Sequence, residues 1–330
     1  MILAGDIGGT KTHIAVFSNE NGRLVQQQKK TYPSKNYPSL EAVLQDFAAG
    51  NTRPFTAACF GVAGPVIDET VKTPNLPWFV DRRAVARSLG IDAVALVNDL
   101  EATGYGARTL DAAEFAVLNA GSFDAGANMA LIAAGTGLGE AILYPAAGGY
   151  RVLASEGGHA DYAPRTTLQI ELLSHLAARF GHVSYERVIS GPGLINIYNF
   201  LKDSGRYAEP AWLKERLAAG DASAAISHAA LAGEAEICVQ ALGIFAHAYG
   251  AEAGNLALRA KALGGVYVGG GIAPKIAAKL ADGVFMRAFV DKGRYAELLE
   301  RVPVRIILNE EAALRGAAYY GATHLQGAGG

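Results

Sequence analysis

The sequence predicts an α/β fold in which two similar halves surround a central cleft. Apolar, strand-like runs each lead into a glycine-rich loop, and long helical segments alternate with these units. A glycine-rich hairpin occurs twice, which indicates a duplicated architecture. The length of 330 residues also exceeds what one hydrophobic core usually holds, so two domains with a cleft between them are expected.

The first loop lies between residues 2–5 and 13–17, which are apolar or β-favouring runs. Its sequence, Asp6-Ile7-Gly8-Gly9-Thr10-Lys11, predicts two strands joined by a hairpin. A Rossmann loop is excluded, because its glycines would open a helix, whereas the residues after Lys11 alternate like a strand. Paired glycines allow backbone amides to approach phosphate oxygens, with Thr10 as a further donor and Asp6 near a metal ion. Taken alone, such a loop is more often a plain hairpin turn.

Two further glycine loops follow predicted strands. Residues 129–134 precede Gly135-Thr136-Gly137-Leu138-Gly139, whose spaced glycines and Thr136 hydroxyl suit an anion. Residues 265–268 precede Gly269-Gly270-Gly271, and the Ile272-Ala273-Pro274-Lys275 that follows predicts a helix start next to a base or ribose. Turn chemistry explains each loop alone, but three such loops in one chain indicate nucleotide binding.

The other predicted elements are strands and long helices. Residues 57–63 and 93–97 are typical of buried strands, and each ends on a residue type suited to a turn or a site. Residues 166–182 and 222–263 are mainly helical in pattern, rich in Ala, Leu and Ile. Their alternation with the strands supports the α/β prediction.

Leu96-Val97-Asn98-Asp99 ends one of these strands in an amide and a carboxylate, and a helix is predicted from residue 100 to about 110. A carboxylate at this place can accept a hydroxyl proton as general base, which makes Asp99 a candidate catalytic residue. Helix capping is the commoner role at such a boundary, and either Asn98 or Asp99 suits it. Both interpretations stay open at this point.

More polar residues lie in the second half of the chain. Ser155-Glu156-Gly157-Gly158-His159 places a carboxylate and an imidazole around two glycines, which suits vicinal hydroxyls, with a solvated loop as the alternative. Glu186 is more often, in such a context, a surface carboxylate paired with an arginine. With Asn98 and Asp99 the set suits a polyol, because sugar hydroxyls need several fixed hydrogen-bond partners.

Composition narrows the class of partner. The 29 basic and 31 acidic residues leave a net charge of −2, which implies no general attraction to nucleic acid or to anionic membranes. Cys59 and Cys238 are far apart, so neither a disulfide framework nor a metal-binding cysteine cluster is indicated. The N-terminus lacks the pattern of a signal peptide, and apolar stretches break before bilayer length. A cytoplasmic protein with a small-molecule partner is predicted.

Together these motifs resemble the bacterial glucokinases, within the hexokinase and actin-like ATPase superfamily. The resemblance runs from end to end, and the order and spacing of the motifs make it specific. The segments that carry it are Asp6-Ile7-Gly8-Gly9-Thr10, Leu96-Val97-Asn98-Asp99, Gly135-Thr136-Gly137-Leu138-Gly139, Ser155-Glu156-Gly157-Gly158-His159-Ala160-Asp161, Ser184-Tyr185-Glu186-Arg187-Val188 through Gly193-Leu194, and Gly269-Gly270-Gly271-Ile272-Ala273-Pro274-Lys275.

The resemblance implies a two-lobed fold of the hexokinase and actin-like ATPase (ribonuclease H-like) type, which closes on the sugar. The small α/β domain would comprise residues 1–109 plus about 301–330, and the large α/β domain residues 110–300. It further implies a cytoplasmic homodimer of glycolysis that transfers the γ-phosphoryl of ATP to the 6-hydroxyl of glucose. The products would be glucose 6-phosphate and ADP, with Mg²⁺ bound to the nucleotide.

The resemblance also assigns roles to individual residues. Asp99 would be the catalytic base and would contact the glucose. The other glucose ligands would be Asn98, Glu156, His159 and Glu186. The nucleotide-binding residues would be Asp6, Gly8, Gly9, Thr10, Lys11, Gly135, Thr136, Gly137, Gly269, Gly270 and Gly271.

One departure from the family pattern is Lys11-Thr12-His13, where many of these enzymes carry Asn and then Arg. Lys is frequent here in the related family of repressors, open reading frames and kinases. That family typically carries a cysteine-rich zinc motif after a glutamate–glycine–histidine segment, whereas this chain has no cysteine between residues 59 and 238. Because a structural zinc site normally needs several cysteines, His159 is expected to bind sugar, and no protein metal site is expected.

Three alternatives accompany this hypothesis. A kinase for another hexose or an N-acylated amino sugar would share the fold and differ in the sugar pocket. A sugar-responsive DNA-binding repressor would need an appended recognition module, yet the first phosphate loop begins at residue 6. An actin-like filament or chaperone ATPase would share the phosphate loops but has no reason to carry the polyol-binding set.

Overall fold

The computed structural model describes residues 1–50, 54–73, 76–147 and 149–325. Within these ranges the strands β1 to β13 are, in chain order, Ile2–Ile7, Lys11–Glu20, Arg23–Pro33, Ala57–Val62, Thr70–Lys72, Phe79–Asp81, Val94–Asn98, Phe115–Asn119, Met129–Ala134, Leu138–Ala146, Gly149–Ser155, Gly265–Gly269 and Val304–Ile307. The helices α1 to α12 are Leu40–Ala49, Arg82–Leu89, Asp99–Ala107, Thr167–Phe180, Gly191–Asp203, Ala211–Ala218, Ala222–Leu231, Glu236–Ala260, Ala277–Leu280, Val284–Val290, Ala296–Glu300 and Ala312–Tyr320. Short 3₁₀ segments are Ser34–Asn36, Ala112–Glu114, Gly157–His159, Tyr185–Arg187, Ala273–Ile276 and Gly293–Tyr295, and a π-helical turn is Gly321–Leu325.

Many of the helices begin where the sequence offers a polar side chain that accepts a hydrogen bond from the first turn. A helix leaves its first backbone N–H groups without partners, and a cap that satisfies one of them typically contributes about 1 kcal/mol. The capping residues of α1, α2, α3, α4, α5 and α7 are Ser39, Asp81, Asn98, Thr166, Ser190 and Asp221.

The first sheet has the strand order β3-β2-β1-β4-β7. β1, β2 and β3 form an antiparallel meander, and the register places Asp6 opposite His13. β4 pairs with β1 and β7 pairs with β4 in parallel. The parallel strands therefore bring their carboxyl ends to one edge, where ligand sites of α/β proteins usually lie.

The second sheet has the order β11-β10-β9-β12-β13-β8 and repeats the topology of the first. β9 and β10 form a glycine-linked antiparallel hairpin, and β12 and β13 follow in parallel on the other side of β9. β8 is an extra antiparallel strand at the far edge. The repeated order confirms the duplicated α/β architecture predicted from the two glycine hairpins.

The chain divides into two compact units. The first comprises Met1–Ala112, Ala146–Ala154 and Asn309–Gly330, and the second comprises Ala113–Pro145 and Ser155–Leu308. Apolar residues fill both faces of the first unit's sheet, one cluster including Trp78 and Phe60 and the other lying against α12. In the second unit, the buried helix α8 lies at the centre of the main core.

Three elements differ from the sequence predictions. β3 carries Gln26-Gln27-Gln28-Lys29-Lys30, a polar run that gave no strand signal but pairs along β2. The helical stretch from residue 222 breaks at Ala232–Ala235, where Gly233 has a left-handed φ of 68°. The helix expected at Ile272 starts as a 3₁₀ turn, and α9 begins only at Ala277.

Within the described ranges, no single helix has the length and apolar composition needed to cross a bilayer. The bent pair α7 and α8, which meet at 100°, passes that test only when the two are taken together.

Helices α3 and α12 of the first unit cross at very close range. A Cβ built on Gly316 would lie 1.8 Å from the Ala102 carbonyl oxygen, and one built on Gly106 would lie 1.8 Å from the Ala312 carbonyl oxygen. Backbone atoms cannot move aside like the end of a flexible side chain, so only glycine fits at this crossing.

We expect Gly316→Ala to lower the free energy of unfolding by about 3 kcal/mol, because the two helices must separate to admit a methyl group. Urea denaturation of the purified protein measures this loss. Gly220→Ala is the matched control, since a Cβ there meets nothing within 4 Å. Equal stability of the two variants would show that the crossing tolerates a side chain.

Candidate active site

The first glycine hairpin of the chain joins β1 to β2 and is anchored by hydrogen bonds from Ser34. The Gly8 N–H donates to the Lys11 carbonyl (3.0 Å), which closes the turn. The Ser34 hydroxyl donates to the Gly8 carbonyl (2.8 Å), and the Ser34 N–H donates to the Thr10 carbonyl (3.0 Å). Buried Thr12 lies 3.0 Å from the Ser34 hydroxyl. The hairpin is thus fixed on its inner side, while Thr10 and Lys11 are exposed.

Asn98 and Asp99 lie at the carboxyl end of β7. Asn98 is the N-cap of α3, and its Oδ1 accepts from the N–H groups of Leu100 (2.9 Å) and Glu101 (3.4 Å). Its amide Nδ2 donates to the Gly64 carbonyl (3.1 Å), just beyond β4. Asp99 Oδ1 also accepts from Leu100 N–H (2.9 Å). Of the two capping residues considered from the sequence, Asn98 is therefore the N-cap.

Asp6 and Asp99 are electrostatically linked at this edge of the sheet. Burial is the main cause that raises the pKa of Asp6, and the charge of Asp99 raises it further, to about 6, against the opposing charge of Lys29. Two negatively charged carboxylates held close together repel each other, which is unfavourable when no other charge compensates them. Such an arrangement is typical of sites that bind cations or move protons.

His13, the last residue of the segment Lys11-Thr12-His13, lies opposite Asp6 on β2. Its Nδ1 lies 2.9 Å from the Thr31 hydroxyl on β3. Burial is the main cause that lowers its pKa, with further lowering by Lys29 and Lys11. A cavity of about 380 Å³ lies beside this face of the sheet, lined by Asp6, His13, Lys29, Asn309, Glu310, Glu311 and Leu314.

The second glycine hairpin, between β9 and β10, is held by Glu186 and by the start of α5. The Leu138 N–H donates to Glu186 Oε2 (3.0 Å), and the Gly191 N–H donates to the Gly135 carbonyl (2.8 Å). The side chain of Glu186 is 30% exposed. The structure thus places Glu186 against the loop of residues 135–139, and among the described residues no arginine forms the surface ion pair considered as its alternative.

Glu156 and His159 lie beside Glu186 in the same unit. His159 Nε2 is 3.9 Å from Glu156 Oε2 and 4.0 Å from Glu186 Oε2. The side chain of Glu156 is 78% exposed, so its carboxylate is available to a ligand. Within the described residues, no group of three or more His, Cys, Asp or Glu side chains has the arrangement of a metal site.

The third glycine loop follows β12 and lies beside the second. β12 pairs in parallel with β9, and the Ile272 N–H donates to the Ala134 carbonyl (3.2 Å), the residue just before Gly135. Gly270 and Gly271 are exposed. The loops at residues 135–137 and 269–271 are therefore neighbours at one edge of the second sheet.

The structure thus assembles the predicted residues into two groups. Within the first unit it brings Asp6, Asn98 and Asp99 to one sheet edge, next to the hairpin at residues 8–11. Within the second unit it places Glu186 against the second glycine loop, with Glu156 and His159 beside Glu186 and the third loop adjacent. The sequence reasoning missed Ser34, because nothing in its local pattern marks a residue that anchors a loop far from it in the chain.

Two sheets that share a five-strand order, each with a glycine hairpin between its first strands, define an α/β fold of the hexokinase and actin-like ATPase type. The chain belongs to the glucokinase family, because the family model named Glucokinase matches residues 3–324. Among curated proteins it is 42% identical to a glucokinase of Synechocystis sp. and 41% identical to one of Nostoc sp., and the first match covers 96% of each chain. The family and the fold predicted from the sequence are confirmed.

Solved structures support the same fold for this chain. The crystal structure of a glucokinase from an Antarctic psychrotroph is 33% identical with a TM-score of 0.84, and the match covers 98% of each chain. A ROK family glucokinase from Streptomyces griseus, solved in complex with glucose and AMPPNP, shares the fold at 24% identity with a TM-score of 0.62, covering 97% of this chain and 99% of that one.

We expect the Asp6 carboxyl to titrate near pH 6, as followed by ¹³C NMR of the side-chain carboxyl carbons. Asp99→Asn should lower the pKa of Asp6, because the negative charge of Asp99 raises it. Asp92→Asn is the control, since Asp92 is exposed and precedes β7 at the opposite end. An Asp6 pKa that is the same in all three proteins would contradict the proximity of the two carboxylates.

Proposed function

We propose that this chain is an ATP-dependent glucokinase that transfers the γ-phosphoryl of ATP to the 6-hydroxyl of glucose. The observation that carries the proposal is the placement of a carboxylate, Asp99, at the same sheet edge as a glycine hairpin suited to phosphate. Family membership over residues 3–324 supports glucose as the acceptor. The Streptomyces griseus structure with glucose and AMPPNP supports a sugar and an adenine nucleotide as the two substrates of this fold.

In the proposed mechanism Asp99 takes the proton from the 6-hydroxyl as that oxygen attacks the γ-phosphorus. The amides of the hairpins at residues 8–10 and 135–137 receive the charge of the phosphate oxygens, with Thr10 and Thr136 as further donors. The loop at residues 269–271 binds the adenosine. Positioning and charge stabilisation supply most of the catalysis, because phosphoryl transfer needs little covalent help from the protein.

Four side chains are proposed to hold the glucose: Asn98, Glu156, His159 and Glu186. The amide of Asn98 is held by the α3 cap and by Gly64, which fixes its orientation. Glu186 is likewise fixed by Leu138 N–H, and the imidazole of His159 lies between Glu156 and Glu186. A polar set of this kind discriminates between sugars, because a missing hydroxyl leaves its partner without a hydrogen bond once the bound sugar excludes water. We assign His159 to sugar binding and not to zinc.

Mg²⁺ is proposed to enter with the nucleotide, where it neutralises charge on the phosphates. The residues present fit this ion, because the carboxylate of Asp6 offers the hard oxygen ligand that Mg²⁺ prefers and Asp99 adds negative charge beside it. On the family resemblance we also propose that the enzyme acts as a homodimer in the cytoplasm, where it supplies glucose 6-phosphate to glycolysis.

The test of the proposed function is a coupled assay of ADP production across a panel of sugars. We expect glucose to give the highest kcat/KM, with mannose, fructose and an N-acylated amino sugar well below it. A higher kcat/KM on an N-acylated amino sugar would move the chain to the alternative sugar kinase. ADP production that does not depend on any sugar would indicate an ATPase and contradict the proposal.

Asp99→Asn should lower kcat for glucose by about a hundredfold to ten-thousandfold, the usual contribution of a general base. Glucose binding should change little, because the amide keeps the shape and the Oδ1 that accepts from Leu100 N–H. Steady-state kinetics and isothermal titration with glucose separate the two quantities. Asp92→Asn is again the control, and turnover near that of the control would reduce Asp99 to a structural residue.

A further inference from the structure

Glu140 is a buried acid of the second unit to which the proposed reaction gives no role. It follows the glycine loop of residues 135–139 directly, lies on β10, and is only 1% exposed. Its Oε1 is buried without any hydrogen-bond partner among the described residues. An ionised carboxylate in such a place loses its hydration with no compensation, which is strongly unfavourable. The protonation state of the Glu140 carboxyl group therefore depends on its immediate neighbours.

Glu140 supports the turn that carries Glu156 and His159. The Ser155 hydroxyl donates to the Glu140 carbonyl (3.2 Å), and the Gly157 N–H donates to the same Ser155 oxygen (3.2 Å). A Cβ built on Gly157 would lie 2.2 Å from Glu140 Oε2, so the turn rests directly on the carboxyl group. Both the main chain and the side chain of Glu140 thus set the position of this turn.

The neighbour of Glu140 is Glu252 on α8, a second fully buried acid, and the two carboxyl groups are hydrogen-bonding neighbours. Glu252 Oε2 accepts from Asn255 Nδ2 (2.8 Å), and Oε1 pairs with the Arg259 guanidinium. Asn255 Nδ2 also donates to the Tyr185 hydroxyl (3.0 Å), and Tyr185 begins the 3₁₀ turn that carries Glu186. The Glu252 network therefore reaches the second sugar-binding segment as well.

These contacts decide where a shared proton resides. Both oxygens of Glu252 accept from donors that are an amide and a cation, which is the environment of an ionised carboxylate. Glu140 Oε1 has no donor among the described residues, and the neighbouring carboxylate of Glu252 repels a second negative charge, so the neutral acid is the favourable form of Glu140. A protonated Glu140 has one O–H to give, and the acceptor beside it is Glu252.

We propose that Glu140 is a positioning residue for the sugar-binding turn at residues 155–159, and that it works as a neutral carboxylic acid hydrogen-bonded to Glu252. The inference deepens the proposed function and rests on it, since the turn is assigned to glucose there. Glu140 does not contact the reacting atoms. It acts through Ser155 and Gly157, which in turn place Glu156 and His159.

The raised pKa of Glu140 supports this geometry. Burial is the main cause that raises the pKa of Glu140, and the charge of Glu252 raises it further, to about 8, against the opposing Arg259. The tyrosines facing the pair do not interfere near neutral pH, since burial raises the pKa values of Tyr185 and Tyr249.

Among the described residues near the pair, Lys292 also titrates in this range. Its Nζ donates to Asn255 Oδ1 (2.6 Å), and burial, followed by the charge of Arg165, lowers its pKa to about 8. Glu252 and Asp291 oppose that shift. A variant that removes only the titration of Glu140 separates the two groups.

The sign of the pH effect follows from the raised pKa of Glu140. Below about pH 8 the neutral acid holds the turn, and above it the carboxylate faces Glu252 as a like charge without a proton to share. If only the protonated form binds glucose tightly, KM rises about tenfold for each pH unit above the pKa. The affinity for glucose is therefore lost as the pH rises above the pKa of Glu140, and not as the pH falls.

The test compares KM for glucose and kcat from below to above the pKa of Glu140, in the wild type, Glu140→Gln, Glu140→Leu and a control. Glutamine mimics the neutral acid as a donor, so its KM should match the wild type at neutral pH and rise less at alkaline pH. Leucine fills the space without a donor and should raise KM at every pH. Glu215→Gln, an exposed glutamate on α6, should keep the wild-type profile.

A wild-type KM profile in Glu140→Gln would contradict the proposal and assign the titration to Lys292 or another group. A KM in Glu140→Gln that is raised at neutral pH as much as in Glu140→Leu would also contradict it, because the ionised form would then be the working one. If Glu140→Leu fails to fold, Glu140→Gln still decides, since its prediction is a retained KM with a changed pH profile.

Infrared spectroscopy gives a readout that does not need turnover. The infrared difference between the wild type and Glu140→Gln at neutral pH should show the carbonyl band of a buried protonated acid, present in the wild type alone and lost as the pH is raised. Its absence from the wild type would overturn the neutral acid even if the enzyme phosphorylates glucose. A wild type with this band but no turnover of glucose would instead contradict the proposed function.

Discussion

The rest of this structure depends on one constraint, which is that the parallel strands of each sheet end at the same edge. Side chains and loops that follow β1, β4 and β7 must come together there, because the strands are in register over their last residues. The second sheet repeats the arrangement with β9 and β12. Residues far apart in sequence, such as Asp6 and Asp99, thereby become electrostatic neighbours. Because the topology is duplicated, the protein has two such edges, one in each sheet.

Anchoring of the loops at these edges comes from residues outside the motifs. Ser34 holds the first hairpin through two hydrogen bonds, and Glu186 holds the second through Leu138 N–H. A flexible glycine loop bound in this way loses little further entropy when it meets a ligand, which favours binding. Glu186 thus combines a structural contact to one loop with a proposed contact to the sugar.

Buried acids recur in this structure as pairs. Asp6 with Asp99 and Glu140 with Glu252 each place like charges close together, and in both cases burial is the main cause of the raised pKa. Such pairs are unfavourable to folding when both members are ionised, so their retention in a fold of this size indicates a role at the site. The role that we propose for the first pair is chemical, and the role that we propose for the second is the placement of a turn.

The sequence by itself determined the elements whose signals are local. Three glycine loops after apolar strands, a helix cap at Asn98 or Asp99 and the repeated hairpin follow from backbone freedom, capping and periodicity, which act over a few residues. The polar strand β3 and the break before α8 were not predicted, because long-range pairing and core packing decided them. Only the tertiary structure decided that Glu186 lies on the second loop and that Glu140 meets Glu252. Contacts between residues 48 and 112 positions apart depend on how strands and helices pack, and no local pattern encodes that.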